Sequence, residues 1–522
     1  MIKNILFIQP FSLIDKQLSD ILLVWPFYLE NYLRNRFKYL NFDTIYLPAE
    51  QKRGTININN FSIQEIKRFH SEMDNLITNI DFELNAETLI CISCSFSTLY
   101  IPTKIILDYF QKICPECIFA IGGAHVSACP DDFYQKNKSI DFMIFGEGEL
   151  PLARIIENSS RKRNSSTIMM KKEYIPNLDL LPVLEFEKLS LSKYIDDIPR
   201  LAINLSRGCP FSCRFCMEKD LREGVKNTKA WRAYSPSRAI LDIKAMIDFG
   251  FKHNLNEFGF LDSIFGFNNT WLLSFLKKYN FQDICSIWTE TRLDILNETI
   301  LKILHKKRIF NMYGLEHFSH RMLKIMNKTQ NPNKFLAKFD KILKIHDNLG
   351  YMCVLNILLN HPGETSETLK KAFKESENII KQTKNNQIYF NIKQYHNFPG
   401  TYSYENEISF RKDFGTKYYE FSKNWWVYND LDIQNFGVLC IRSSKDLSLK
   451  DFIISWTNKY IDLNNQIKDK INNMDLKKIE KIFQISNLNM MNKTLEERKD
   501  RFFSFLKKYK IEGLEKVIKN TA

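Results

Sequence analysis

Between Pro199 and Pro399 the chain repeats one pattern six times, a short apolar run rich in β-branched and aromatic residues followed by a segment of helical length. The runs read RLAINLS, NEFGFLD, ICSIWTET, RIFNMYGLE, GYMCVLNILL and QIYFNIKQY. Antiparallel neighbours can be joined by a tight turn, but parallel strands need a long crossover, usually a helix. The alternation therefore predicts parallel strands, and six units in succession predict a partial (β/α)6 TIM-like barrel over residues 199–400. Chemistry in such barrels sits at the rim formed by the carboxyl ends of the strands. Ser235, with Pro236 behind it, marks the start of one crossover helix, and Gly250 marks its end.

The region before it also alternates. NILFIQP, FDTIYLP, TLICISCSFS, CIFAIGGAHVS and IDFMIFGEGE read as strands with helix-length segments interspersed. They predict an α/β fold class with an N-terminal doubly wound, Rossmann-like parallel sheet domain over residues 1–158. Such sheets take ligands beyond the carboxyl ends of their strands. Here those ends carry Ser95, Ser97, Gly122, Gly123, Gly146 and Glu147, and small residues let a ligand approach the backbone closely. Residues 159–198 are basic and poorly patterned and read as a linker. Residues 401–522 are first aromatic and then Lys-rich, and predict a mainly helical C-terminal region that shapes a substrate pocket.

At 522 residues the chain needs more than one core, and no run of eighteen uncharged apolar residues is present to span a membrane. The amino terminus lacks a small-residue cleavage site, so a cytoplasmic location is expected. The formal charge of +14 is spread along the chain instead of forming a basic block, which argues against a nucleic-acid partner. Eleven scattered cysteines argue against a disulfide framework.

Three of those cysteines fall in RGCPFSCRFCMEKD, as Cys209, Cys213 and Cys216, directly after the first barrel strand and so on its rim. Structural zinc takes four ligands, usually as two separated pairs, and no partnering pair lies downstream. Three thiolates can instead hold three irons of a [4Fe-4S] cluster and leave the fourth iron open. Cys91 and Cys94, and Cys114 and Cys117, form two further C-x2-C pairs that raise the question of zinc; the first pair reads as core cysteines, because strand geometry sends Cys91 and Cys94 to opposite faces.

The C-x3-C-x2-C spacing, with aromatic Phe215 before the last cysteine, resembles the radical S-adenosylmethionine (SAM) superfamily. In that family the open iron chelates SAM, and one electron from the cluster cleaves the sulfonium to give a 5′-deoxyadenosyl radical. The resemblance extends along the barrel. GFLDSIFGFN places Asp262 on the rim, WTETRLDIL offers Arg292 to the SAM carboxylate, and YGLEHFSHRMLKIMNK offers Glu316 to the ribose hydroxyls; the resemblance assigns Phe215, Asp262, Arg292 and Glu316 to SAM binding. His317 stands where the family has Ser or Thr. NHPGET and NFPGT match the family's turns after the fifth and sixth strands.

GGAH, PDDF and FGEGE, with the helix WPFYLENYLRNRF, resemble the cobalamin-binding domain of one radical SAM subclass. That resemblance assigns Ser95, Ser97, Gly122, Gly123, Gly146 and Glu147 to cobalamin. The cobalt-ligating D-x-H-x-x-G of other cobalamin domains is absent, the loop reading Asp15, Lys16, Gln17, and His125 is read as a pocket wall. Implied is a cobalamin-dependent radical SAM methyltransferase acting on an unactivated carbon of a small-molecule or peptide intermediate, with flavodoxin or ferredoxin as electron donor. Rearrangement, cyclisation or oxidation without methyl transfer is the alternative within the class, and a non-catalytic iron–sulfur sensor or scaffold the alternative outside it.

Overall fold

The computed structural model describes residues 1–14, 22–134, 140–158, 166–222, 229–255, 257–384, 387–471 and 488–511. They divide into two compact units, Met1–Pro210 with Met217–Asn280 and Trp426–Gln434, and Phe211–Cys216 with Phe281–Trp425 and Asn435–Ala522.

In the first unit, strands β1 (Asn4–Gln9), β2 (Asn41–Tyr46), β3 (Thr88–Ser93), β4 (Ile118–Gly122), β5 (Phe142–Ile144) and β6 (Ile168–Met170) form one sheet in the order β2-β1-β3-β4-β5-β6. Every pairing is parallel; Ile5 of β1, for example, lies opposite Phe42 of β2 and Leu89 of β3. β1 and β3 are buried along their whole length, the continuous apolar pattern of a sheet covered on both faces. Leu33 from helix Trp25–Arg36 and Leu152 and Ile156 from helix Glu149–Glu157 pack with Ile5, Phe7, Leu89 and Ile144. The strand order reverses direction between β1 and β3, the usual ligand position of such a sheet, and the observed cavity extends from there along the ends of β3, β4 and β5. β6 was not expected; it lies within the stretch read as a linker.

Strands β7 (Arg200–Ile203) and β8 (Glu257–Phe260) of the same unit pair in parallel. The helix between them, Pro236–Lys252, starts as the sequence indicates, with Ser235 Oγ accepting from the Arg238 N–H. It does not stop at Gly250. A Cβ there would sit 2.5 Å from Phe258, so this glycine lets the helix lie close to β8.

The second unit holds β9 (Ile287–Thr291), β10 (Ile309–Glu316), β11 (Cys353–Leu359) and β12 (Ile388–Gln394), parallel and paired in sequence order. Helices Glu298–Lys306, Pro332–Leu349 and Ser366–Gln382 connect them. All six expected barrel strands are thus present, and helices Leu449–Ile471 and Leu488–Lys508 give the C-terminal region its helical character. The fold class is the expected one, a doubly wound parallel sheet, a partial (β/α)6 barrel and a mainly helical carboxyl-terminal region.

No described helix is long and apolar enough to cross a membrane. Cys91 and Cys94 are buried, as expected of core cysteines. Cys114 and Cys117, in contrast, are joined by a disulfide.

Candidate active site

In the first unit the ends of β3, β4 and β5 open onto a cavity of about 400 Å3. Ser95, Gly122, Gly123, Gly146 and Glu147 all line it, with Val24, Ile121 and Leu152 among its apolar walls. Gly123 and Gly146 have φ of +109° and +73°, a region that favours glycine. A Cβ on Gly123 would sit 2.5 Å from the carbonyl of Cys94, so this glycine also lets β3 and β4 approach. Gly122 is different, because its Cβ would meet nothing closer than 3.4 Å.

Ser97 does not line the cavity. Its Oγ bonds instead to Nδ1 of buried His125 at 2.9 Å, and His125 Nε2 lies 3.3 Å from Asp132 Oδ2. That carboxylate also accepts from the Trp426 indole at 2.7 Å. Burial holds the His125 pKa below its ordinary value. His125 is therefore engaged within the protein and is not a wall of the cavity. The loop with Asp15, Lys16 and Gln17 lies outside the described residues.

Glu147 is held from two sides, by Arg232 at 2.6 Å and by Arg207 at 3.3 Å. Arg207 also reaches Glu149 at 2.7 Å and stacks on Tyr28. The strand end carrying Arg207 leads through Gly208 to Cys209. Gly208 has φ +82°, and a Cβ there would lie 2.5 Å from the Ala230 carbonyl oxygen. The same strand end is fixed by Asp262, whose Oδ1 accepts from the N–H groups of Leu205 at 2.7 Å and Ser206 at 2.9 Å. Asp262 was expected to face SAM; it is only 2% exposed, and its Oδ2 has no hydrogen-bond partner. Burial pushes its carboxyl up to about 7.

In the second unit, Cys213 and Cys216 are partly exposed on a loop clamped to residues 325–327. Arg214 N–H donates to the Met326 carbonyl at 2.9 Å, and Asn327 Nδ2 to the Ser212 carbonyl at 2.8 Å. Phe215 is partly buried and packs against a core cluster that includes Met322, Ile325, Met326 and Tyr395. Arg292 stacks on Phe211 at 3.8 Å, pairs with both carboxylate oxygens of Asp294 at 2.9 Å, and points Nη1 at Cys213 Sγ, 3.8 Å away.

Glu316 closes β10 with φ +69°, and its Oε1 accepts from buried Lys328 at 3.0 Å. The Lys328 carbonyl accepts from Arg292 Nη2 at 2.9 Å, so one lysine joins two of the residues expected to meet SAM. Lys328 ends the YGLEHFSHRMLKIMNK segment, where nothing in the sequence marks it, since only the fold brings it to Arg292. A Cβ on Gly314 would sit 2.6 Å from Glu316 Oε1 and 2.7 Å from Lys328 Nζ, so glycine makes room for the ion pair.

Among the described residues no three metal-ligating side chains are gathered around a single ion position. Cys213 and Cys216, partly exposed and in no disulfide, are nevertheless soft donors of the kind an iron–sulfur cluster takes. The cavity, with glycines on its floor and hydroxyls at Ser95 and Ser127, suits a broad ligand pressed against backbone.

Residues 203–375 match the model of the radical SAM superfamily, a domain that implies a [4Fe-4S] cluster and SAM. The chain is 25% identical over 281 residues to an uncharacterized methyltransferase of Pyrococcus horikoshii, covering 51% of this chain and 59% of that one. It spans about half the length of the curated relatives it matches. Two solved structures share its fold. One is TsrM of Kitasatospora setae, a radical SAM methyltransferase with cobalamin and a [4Fe-4S] cluster bound, with a TM-score of 0.58, 13% identity and 80% and 77% of the two chains covered. The other is OxsB, a cobalamin-dependent SAM radical enzyme with aqua-cobalamin bound, with a TM-score of 0.57, 15% identity and coverage of 98% and 76%. Residues 203–375 are therefore similar to the radical SAM domain, and the chain shares the fold of TsrM and OxsB.

Proposed function

We propose that this chain is a cobalamin-dependent radical SAM methyltransferase that methylates an unactivated carbon of a small-molecule or peptide intermediate. The observation that carries the reading is the meeting of Ser95, Gly122, Gly123, Gly146 and Glu147 around one cavity at the strand ends. The methyltransferase names of TsrM and of the Pyrococcus relative support the reaction type.

Cys209, Cys213 and Cys216 would hold the cluster, and the cavity residues cobalamin. When bound, the cluster supplies the electron that cleaves SAM, and cobalamin supplies the methyl group. Arg292, desolvated on Phe211 and oriented by Asp294, sets a fixed positive charge beside Cys213, where it serves a SAM carboxylate. Glu316 offers a carboxylate to the ribose hydroxyls. Asp262 and Phe215 act one step back: the first fixes the strand end before Cys209, the second anchors the loop against the core.

The test is product analysis after anaerobic reconstitution with cobalamin and reduction. Methyl transfer yields S-adenosylhomocysteine alongside 5′-deoxyadenosine and a product heavier by one methylene. A rearranged, cyclised or oxidised product without that increment would refute the methyltransferase reading.

A further inference from the structure

His317 departs from the Ser or Thr usual in the family the chain resembles, and its surroundings give that departure a purpose. The His317 N–H donates back to the Leu315 carbonyl at 2.9 Å, closing a three-residue turn centred on Glu316. With Glu316 at φ +69°, this is the rare, strained form of the γ-turn. Such a backbone is strained and persists only where neighbours over-determine it. The pairing of β10 with β11 shifts register at the same place: Leu315 is skipped as a bulge, and Glu316 lies opposite Ile357 as the last pair on β10.

The ring of His317 braces the chain just beyond that last pair. It is fully buried, and its Nδ1 accepts from the Ser319 N–H at 2.8 Å. An acceptor Nδ1 leaves the ring proton on Nε2, which donates to Glu364 Oε1 at 2.8 Å. Glu364 is itself fully buried, and it also accepts from the Thr368 hydroxyl at 3.1 Å and the Asn360 N–H at 2.6 Å. The carboxylate is thereby fixed by the turn after β11 and the first turn of the next helix, and the imidazole ties the end of β10 to it. Ser or Thr is too short to span from residue 317 to this carboxylate while also receiving the Ser319 N–H.

We infer that His317 is a positioning residue, which through Glu364 holds Glu316 in the strained turn that presents its carboxylate; this rests on the reading of Glu316 as a SAM contact. His317 touches neither SAM nor a reacting atom. It acts only through Glu316, which sets its test.

SAM affinity is measured by titration calorimetry on the anaerobically reconstituted full-length chain, with iron content and melting temperature recorded for each variant. Glu316→Ala and His317→Ala each weaken SAM by about tenfold. The double variant binds no more weakly than Glu316→Ala alone, because His317 has nothing left to position. His317→Gln, whose amide N–H replaces the Nε2 donor, recovers most of the affinity. Additive losses in the double variant, or an unchanged affinity in His317→Ala beside a weakened Glu316→Ala, overturn the inference alone. An unchanged affinity in Glu316→Ala overturns both the inference and the assignment of Glu316. If His317→Ala does not retain its cluster, Glu364→Gln replaces it, keeping the ring in place while removing one of the acceptors, and the same non-additivity is expected.

Discussion

Replacing Asp262 by Asn isolates the contribution of a single buried carboxyl to the strand end that feeds the cysteine loop. Burial raises this carboxyl from an ordinary 3.8 to about 7, with the N–H bonds from Ser206 and Leu205 opposing the shift. The folded state therefore holds a proton that the unfolded chain releases. Stability from this group is fully present below its ordinary pKa and is lost as pH rises through about 7. Between about pH 6 and about pH 8 the loss is about 1.4 kcal/mol, which is about tenfold in an opening equilibrium. Asn keeps the Oδ1 acceptor, cannot ionise, and removes this pH dependence. The assay is amide hydrogen exchange at Leu205 and Ser206 in the apo chain, corrected for intrinsic rates. Protection in the wild type should fall about tenfold relative to Asp262→Asn across that window. Parallel profiles would show Asp262 to be ionised in the folded state, and would refute the claim that its burial outweighs its two N–H partners.

Cys209→Ala, Cys213→Ala and Cys216→Ala should each abolish SAM cleavage, whereas Cys91→Ala and Cys94→Ala should retain it; iron content and 5′-deoxyadenosine formation check both. Arg292→Ala should weaken SAM by about 1–3 kcal/mol with iron content unchanged, read by calorimetry. Gly123→Ala should lower the melting temperature of the apo chain far more than Gly122→Ala, because its Cβ would lie 2.5 Å from backbone and in a strained φ, against 3.4 Å; equal melting temperatures would contradict this.

The fold was legible because parallel strands need long crossovers, and each barrel strand shows as an apolar run between helix-length segments. The cysteine loop was legible because its three cysteines fall within eight residues. What stayed hidden depends on contacts between distant residues. Lys328 meets Glu316 and Arg292 only after β10 and the following helix fold back, and Glu364 meets His317 across 47 positions. Gly250 looked like a helix stop because glycine often is one; its actual constraint is Phe258 on the neighbouring strand. β6 is three residues long in a polar, basic stretch, too short for period-two alternation to show. Asp262 and Ser97 sit at strand ends as their positions imply, yet their side chains turn into the protein, a choice of partner that position alone does not encode.

The central claim is that the cavity at the ends of β3, β4 and β5 serves cobalamin in a working radical SAM enzyme. The most direct measurement is cobalamin retention by the full-length chain after anaerobic reconstitution and gel filtration, read from the cobalamin absorption spectrum beside 5′-deoxyadenosine formation on reduction. The account predicts about one equivalent of cobalamin retained and SAM cleaved. A chain that cleaves SAM but retains no cobalamin would contradict it.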